Sequence, residues 1–490
     1  GRDRENSASY YTPESLTQCL VKYALKELLP GKTAADILGL KVCEPAMGSA
    51  AFLNEVVNQL AQKYLELRQQ ETGQSIPHEQ FATELQKVKM RLADQNVFGV
   101  DLNPVAVELA EVSLWLNSIF TPEKGRAFVP WFSQQLVCGN SLIGARRQIY
   151  RVSQLPTSTA RSAKPRKLWH EHAPEELAWD AELPKDAIFH FLLPDPGMAA
   201  YSDKVIKELE PDAIERCKRW NKAFVGESFS EDQIEHLLRL SQLVNGLWKD
   251  WAQQQSQLRQ RTTDPLPVWG EDTDATDAAW TSLKQKDSIQ EQEILGRDVA
   301  QTNARLRLKW AMDYWCALWF WPIRQAGSLP TRRDWLYELS MILGDYEQTV
   351  GPEDGQQKLF PDTQPKHQAE EFADRHGFVD VEKLKAEFER LRQVEAVAKR
   401  IRPLHWDLEF ADLLRNGGFD LVLGNPPWMR SEWSQDNFLS EKSPMLSKDF
   451  EGRKESDLNH ERKMLLARAG RELLQEYETA AGTKSLLPKR

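Results

Sequence analysis

The stretch "LKVCEPAMGSAAFLNEVV" at residues 40–57 predicts how the chain builds its fold. Val42 and Cys43 form the end of a predicted strand, because apolar residues run together there. Residues 44–49 make a tight turn of small residues, and a helix follows over about 50–67. A strand, a glycine-containing turn and a helix in this order open a unit of parallel α/β sheet. The first amides of such a helix form a donor site for a polar ligand.

The stretch "NVFGVDLNPVAVELA" at residues 96–110 repeats this pattern. A strand over Val97–Val100 ends in Asp101, and a helix starts near Pro104. A carboxylate at this strand end can bind both ribose hydroxyls of a nucleotide. Asp101 could instead cap the following helix, although Asn103 is also placed to do so. The G-x-G-x-x-G fingerprint of dinucleotide-binding proteins is absent, so the turn by itself is a weak signal.

Two further strands are predicted from "QLVCGNSLIG" at 135–144, ending at Asn140, and "GFDLVLGNPPWMR" at 418–430. The second contains a buried strand over Phe419–Leu423, which Gly424 and two prolines end. Taken alone, the turn after it is more often a rigid turn than a site. Open α/β sheets, however, bind ligands at the carboxyl ends of their strands. Strands alternating with helices predict an α/β protein with a parallel, doubly wound, Rossmann-like sheet.

A Trp-rich, mostly helical insertion of about 260 residues separates the third and fourth strands. Within it, "LRLKWAMDYWCALWFWPI" at 306–323 predicts a buried helix, whose aromatic residues we interpret as core rather than as a base-stacking platform. The charged stretch 381–400 predicts one helix with pairs of opposite charge. At the start of the chain, Thr12 is expected to cap a helix whose first residue is Pro13.

The composition is that of a folded protein with a sizeable core, since 41% of its 490 residues are hydrophobic and 28% are charged. No run of eighteen apolar residues exists, so no membrane span is expected. A net charge of −10 argues against a uniformly basic surface but leaves room for local phosphate contacts. Five scattered cysteines favour a reducing cytoplasm. The first residues hold neither an initiator methionine nor a signal peptide, so an excerpt or a processed product is expected.

The sequence predicts no metal site. The stretch "WHEHAPEE" at 169–176 has histidines but no third ligand at a suitable spacing. None of the five cysteines forms a pair with metal or redox spacing.

Five stretches, taken in order, resemble the motifs of the N6-adenine DNA methyltransferases that use S-adenosylmethionine. They are "YYTP" at 10–13, "EPAMGSAAFL" at 44–53, "VFGVDLNPVAVELA" at 97–110, "CGNSLIG" at 138–144 and "LGNPPW" at 423–428. The resemblance covers about 1–145 and 410–430, and it leaves the insertion and the tail uncovered. Large methylases of this kind occur in restriction–modification and in the BREX and DISARM phage-defence systems. The resemblance implies double-stranded DNA as substrate, with other subunits of a defence system as partners.

The resemblance assigns catalytic roles to the turn after the fourth strand. The side-chain oxygen of Asn425 would accept a hydrogen bond from the adenine N6 amine, and the carbonyl of Pro426 would accept the second. The rings of Pro426 and Pro427 would hold the turn rigid, and Trp428 would stack on the base. Base stacking on an aromatic ring contributes roughly 1–3 kcal/mol. Two acceptors would make the amine nucleophilic, so no strong general base is needed.

The resemblance also assigns residues to the S-adenosylmethionine site. Those expected to contact the cofactor are Tyr11, Thr12, Glu44, Ala46, Gly48, Ser49, Asp101, Leu102 and Asn140. The family motif D-P-A-C-G-S-G is altered here, with Glu44 for Asp, Met47 for Cys and Ala50 for the second Gly. If that position needs a positive φ, Ala50 costs about 1 kcal/mol of backbone freedom.

The resemblance implies a discontinuous catalytic domain. The predicted segments are a cofactor-closing helix at 1–30, a Rossmann-like cofactor-binding half at 31–149, the helical insertion at 150–409, the catalytic strand and NPPW turn at 410–430 and a helical tail at 431–490. Four strands are few for such a sheet, so we expect it to be completed beyond this chain.

Two other functions stay open at this stage. A methylase of a protein glutamine or of an RNA base would also use an N-P-P-aromatic turn, although such enzymes are usually compact and lack the Y-T-P segment. A subunit that keeps the methylase fold without activity, and serves as a DNA-binding scaffold, would account for the altered glycine turn.

Overall fold

The computed structural model describes residues 12–120, 128–157, 168–271, 281–290, 304–345, 381–426 and 470–487. The chain divides into two compact units. The first comprises 1–141, 249–303 and 409–428, and the second comprises 142–248, 304–408 and 429–490.

The first unit contains a parallel sheet of four strands in the order β3-β2-β1-β7. These strands are β1 Val42–Glu44, β2 Val97–Asp101, β3 Leu136–Cys138 and β7 Leu421–Val422. Parallel pairing places Cys43 opposite Phe98 and opposite Val422. All four carboxyl ends therefore lie on one edge of the sheet. The predicted α/β class with a parallel sheet is confirmed in the described residues.

Helices cover this sheet as the alternating pattern predicts. They are α1 Glu14–Leu28, α2 Ala34–Gly39, α3 Ala51–Thr72, α4 His78–Gln95 and α5 Pro104–Ser118. Helix α3 packs against α1, α2 and α4. Its buried face includes Leu53, Val56 and Leu60, which share one core with Val97 and Leu136. Burying each such side chain contributes about 1.5–3 kcal/mol, so this core fixes the turn before α3.

Two sequence predictions in this unit were wrong in detail. The strand β7 is two residues long rather than five, and Val422 is 59% exposed rather than buried. It lies at the edge of the sheet, where β1 is its one neighbouring strand among the described residues. Helix α1 begins at Glu14 after an N-cap at Pro13, and no side chain caps it. Thr12 therefore does not cap the helix, and its hydroxyl is available for another partner.

The second unit combines helices with a small antiparallel sheet in the order β5-β4-β6, which the sequence did not predict. Its strands are β4 Gln148–Arg151, β5 Glu175–Glu176 and β6 Ala187–Phe189. The α-helices of six or more residues that are described after residue 150 are α6 Lys204–Leu209, α7 Pro211–Gly226, α8 Glu231–Thr262, α9 Leu283–Gln290, α10 Ala304–Trp319, α11 Arg332–Leu343, α12 Val381–Glu387, α13 Glu389–Ile401 and α16 Gly470–Leu486. Two short helices, α14 Trp406–Glu409 and α15 Ala411–Arg415, lie between α13 and β7. Helix α9 and the end of α8 belong to the first unit.

The aromatic helix predicted at 306–323 is confirmed as core. Trp315 lies in α10, and its indole N–H donates to the carbonyl of Leu193 at 3.1 Å. Trp319 and Trp321 are fully buried. These rings fill the interior of the second unit and present no face on which a base could stack.

The charged stretch 381–400 forms two helices rather than one. Phe388 interrupts it with an extended backbone (φ −101°, ψ 100°), and α13 begins at the next residue. Opposite charges pair as predicted, since Lys399 Nζ lies 3.2 Å from a Glu395 carboxylate oxygen. Among the described helices, none combines the length and the apolar character needed to cross a bilayer.

Candidate active site

The carboxyl edge of the parallel sheet gathers most of the predicted site residues within the first unit. Glu44 ends β1, Asp101 ends β2, and Asn425 follows β7 by three residues. The Leu423 N–H donates to the carbonyl of Cys43 at 3.0 Å, so the sheet still holds the chain two residues before Asn425. Residues far apart in sequence therefore meet at one edge.

The turn after β1 is tied to the end of β2 by two hydrogen bonds. The Met47 N–H donates to the Val100 carbonyl at 3.0 Å, and the Gly48 N–H donates to Asp101 Oδ2 at 2.8 Å. Ala50 closes the turn with φ 64° and ψ 37°, in the left-handed region. The position where the family motif has its second glycine thus requires a positive φ. Alanine supplies it at a cost of about 1–2 kcal/mol.

Asp101 holds the turn and does not cap the helix that follows. Its Oδ1 accepts the Asn103 N–H at 2.8 Å, while Oδ2 accepts the Gly48 N–H. Asn103 is the N-cap of α5, and its side chain accepts the Val105 N–H at 3.0 Å. Each carboxylate oxygen has two lone pairs, so both Asp101 oxygens can accept a further hydrogen bond.

Glu44 is buried, with 2% of its surface exposed. Its Oε2 has no hydrogen-bond partner among the described residues. Burial raises the pKa of Glu44 well above its ordinary value, and the nearby Asp101 carboxylate raises it further. An unpaired buried carboxylate oxygen costs free energy unless a ligand donates to it.

The turn after β7 brings the candidate catalytic side chain against the N-terminal segment. Asn425 Nδ2 donates to Thr12 Oγ1 at 3.3 Å. Thr12 is 7% exposed, and Pro426 is exposed. Tyr11, Pro427 and Trp428 lie outside the described residues.

The other predicted cofactor residues lie on the same edge. Leu102 is 50% exposed immediately after Asp101. Asn140 follows β3 and is half-buried, and the Gly139 N–H before it donates to the Asp101 carbonyl at 2.9 Å. Ala46 is half-buried and Ser49 is exposed. An apolar surface, amide groups and two carboxylates therefore surround the first turn of α3.

Comparison with known proteins assigns the chain to a family. A model of the Eco57I restriction-modification methylase family matches residues 95–460, which is most of the chain. The chain belongs to this family. The assignment confirms the resemblance to restriction–modification methylases that the motifs predicted.

A second comparison links this Eco57I-family chain to a protein of Methanocaldococcus jannaschii, named as a type II restriction enzyme and methyltransferase. The two are 29% identical over 114 residues. The match covers 21% of this chain, and it spans only 9% of the length of that relative.

Two glycines at this edge were not assigned to the candidate site from the sequence. A Cβ on Gly99 would lie 2.2 Å from the sulfur of Met47, so this strand glycine makes room for the turn. A Cβ on Gly424 would lie 3.4 Å from Glu44 Cγ. The glycine inside "VFGVD" was the available signal, because glycine in a strand often marks a close approach.

The buried Glu44 carboxyl should make the stability of the ligand-free protein depend on pH. The folded pKa is raised, so its contribution to the free energy of unfolding is present below the unfolded pKa and lost as pH rises through the folded pKa. Glu44→Gln removes this dependence. We therefore expect the variant to gain stability relative to the wild type as the pH rises above about 4.3, the ordinary pKa of a glutamate. Urea unfolding at each pH measures this change.

Other carboxyl groups with a raised pKa do not affect this comparison. Burial raises the pKa of Asp94 to about 6, but this group titrates in both proteins and cancels in the difference. A difference between wild type and Glu44→Gln that stays constant across the pH range would contradict the interpretation.

Proposed function

We propose that this chain transfers a methyl group from S-adenosylmethionine to the N6 amine of a flipped adenine in double-stranded DNA. The observation that carries the proposal is the meeting of Glu44, Asp101 and Asn425 at the carboxyl edge of one parallel sheet. This is where doubly wound sheets bind ligands. Membership of the Eco57I methylase family supports methyl transfer as the reaction and DNA as the substrate.

The described residues fit a cofactor with an ammonium group, a ribose and an adenine ring. Glu44 has a buried oxygen that awaits a donor, which an ammonium group supplies. Asp101 retains lone pairs for the two ribose hydroxyls, and the exposed Leu102 offers an apolar surface to a ring. Ala46, Ser49, Tyr11 and Asn140 would complete this site. S-adenosylmethionine would supply an electrophilic methyl group when bound there.

For the adenine substrate, this chain would provide hydrogen-bond acceptors and would hold the base in position. Asn425 Oδ1 and the Pro426 carbonyl would each accept one N–H of the adenine amine and draw it out of conjugation. Pro427 would stiffen the turn and Trp428 would stack on the base. Holding the amine and the methyl donor close together in the reactive orientation can lower the activation barrier by about 7–11 kcal/mol. Fixed dipoles add to this without a strong general base.

A prediction at Gly48 separates ligand binding from folding. Gly48 has φ 54°, and no described heavy atom lies within 4 Å of the Cβ that alanine would add. The methyl group would enter the open space that we assign to the cofactor. Gly48→Ala should lower S-adenosylmethionine affinity at least about tenfold while lowering the free energy of unfolding by only about 1–2 kcal/mol. Calorimetric titration and urea unfolding measure the two effects.

Gly31→Ala is the matched control for this experiment. Gly31 also has a positive φ of 78°, and the added Cβ would meet nothing within 4 Å. It lies after α1, away from the carboxyl edge, so the same backbone strain should leave affinity unchanged. Equal affinity of both variants would argue against a cofactor beside Gly48.

The DNA would have to release its target base into this site. Extruding a base costs a few kcal/mol, which stacking on Trp428 would partly offset. We propose that the Trp-rich part of the chain between β3 and β7 grips DNA or docks another subunit. Membership of the family supports a role in restriction–modification, and we propose phage defence as the wider setting.

The alternative of an inactive DNA-binding scaffold rests on the altered glycine turn. Ala50 adopts the left-handed conformation that the turn requires, and Gly48 still donates to Asp101. The substitution therefore leaves the turn intact, which favours a working cofactor site.

The proposal is tested by incubating the full-length protein with S-adenosylmethionine and DNA and measuring methylated nucleosides by mass spectrometry. N6-methyladenine in the DNA supports it. Methylation of only RNA or a protein glutamine would favour the other acceptors. Cofactor or DNA binding without methylation of any acceptor would favour the scaffold.

A further inference from the structure

Thr12 and Asn425 are 413 residues apart in sequence and share a hydrogen bond at the site. Asn425 Nδ2 donates to Thr12 Oγ1 at 3.3 Å. Thr12 is 7% exposed. The helix after it has Pro13 as its N-cap and no side-chain cap, so capping does not occupy the Thr12 hydroxyl.

This contact bears on which end of the Asn425 amide faces the substrate. The terminal torsion of asparagine is broad and roughly two-fold, so rotation exchanges the amide oxygen and the amide nitrogen. Only the oxygen can accept a hydrogen bond from an amine. An amide turned the other way would set its own N–H groups against those of adenine.

The backbone alone does not settle this orientation. The sheet holds the chain at Leu423, whose N–H donates to Cys43 at 3.0 Å, and Gly424 packs beside Glu44. These contacts place the Asn425 Cα, and they are made by the neighbouring backbone rather than by its side chain. The Thr12 hydroxyl, which accepts from Nδ2, orients the side-chain amide.

We propose that Thr12 is a positioning residue for the methyl transfer, which holds the Asn425 amide with its oxygen directed to the adenine amine. The inference rests on the proposed function. It assigns Thr12 to the catalytic asparagine, whereas the motif resemblance assigned it to the cofactor. The two assignments differ in what they affect, because one acts on kcat and the other on cofactor affinity.

The test compares Thr12→Val and Thr12→Ser in the full-length protein. Valine matches threonine in shape but lacks the hydroxyl that accepts from Nδ2, and serine keeps the hydroxyl. For Thr12→Val we expect kcat to fall about 10- to 100-fold, the scale of a small misplacement of a reacting group. The Kd for S-adenosylmethionine should stay within about threefold of the wild type, since a hydrogen bond outside the cofactor site contributes little to its binding. Thr12→Ser should recover most of kcat.

Thr17→Val is the matched control. Thr17 lies in α1 with 3% exposure, and its hydroxyl donates to the Pro13 carbonyl at 3.3 Å. The same substitution there removes a buried hydroxyl from the same segment without touching Asn425. It should leave kcat unchanged, and thermal unfolding checks that each variant is folded.

The outcomes separate the inference from the proposed function. An active wild type with an equally active Thr12→Val overturns the inference alone. So does a Thr12→Val that loses cofactor affinity in step with kcat, or a Thr12→Ser that is as impaired as the valine variant. A wild type that methylates no DNA refutes the proposed function, and the inference falls with it.

Discussion

Replacing Asn425 by alanine is expected to lower kcat for DNA methylation by at least about 10²–10³-fold, the loss typical of one preorganised hydrogen-bonding group aimed at a reacting centre. We expect this loss because Asn425 Oδ1 is the side-chain acceptor that would draw the adenine amine out of conjugation. The Pro426 carbonyl would remain as a single acceptor. A tritium-transfer assay with saturating S-adenosylmethionine and DNA measures the change.

Cofactor binding should survive this substitution. Asn425 is half-buried three residues beyond the end of β7, and its side-chain amide donates to Thr12. We therefore expect the Kd for S-adenosylmethionine to remain close to that of the wild type. Asn416→Ala is a suitable control, since Asn416 lies in the turn before β7 and its side-chain amide donates to the Asp412 carbonyl at 2.8 Å. If Asn425→Ala retained full activity, the assignment of the NPPW turn as catalytic would be wrong.

Much of this edge could be predicted from local sequence, because local rules act there. The strand that ends in Asp101 and the helix that starts at Pro104 are confirmed at those residues. Asn103 caps the helix, since a short polar side chain directly before a first-position proline satisfies the free amides. The glycine that the family motif has at position 50 raised the question of a positive φ, and Ala50 adopts one.

Other features depend on contacts that no local pattern encodes. The hydrogen bond between Thr12 and Asn425 joins two segments only after the sheet has formed. A two-residue edge strand carries almost no alternation, so the extent of β7 and the exposure of Val422 could not be read from it. The same holds for β5, which is two residues long and pairs with β4.

The site is built from groups that destabilise the ligand-free protein. Glu44 buries an unpaired carboxylate oxygen, and Ala50 holds a conformation that costs about 1–2 kcal/mol. The core beneath α3 can tolerate both, since Leu53, Val56 and Leu60 are fully buried. Strain of this kind concentrates where a ligand can relieve it. The expected gain in stability of Glu44→Gln follows from this arrangement, because the variant no longer buries an ionisable carboxyl group.

Asp101 accepts two backbone hydrogen bonds and is also the proposed ligand of the ribose. Asp101→Ala should therefore affect both the stability of the protein and its affinity for the cofactor. Two charge-assisted hydrogen bonds to a ribose contribute about 1.5–3 kcal/mol each, which predicts at least a 100-fold loss of S-adenosylmethionine affinity. The free energy of unfolding should also fall, by about 1–3 kcal/mol, because the Gly48 and Asn103 amides lose their acceptor. Calorimetric titration and urea unfolding measure the two losses separately.

Asn103→Ala is the control that separates a loss of stability from the loss of a cofactor contact. Asn103 lies two residues from Asp101 and caps α5, so its loss should cost about 1 kcal/mol of stability through the cap. It offers no carboxylate to a ribose, and S-adenosylmethionine affinity should change little. A 100-fold loss of affinity in Asp101→Ala but not in Asn103→Ala would mean that the carboxylate binds the cofactor directly. Equal losses in both variants would mean that affinity follows the stability of the turn, and the assignment of Asp101 to the ribose would fail.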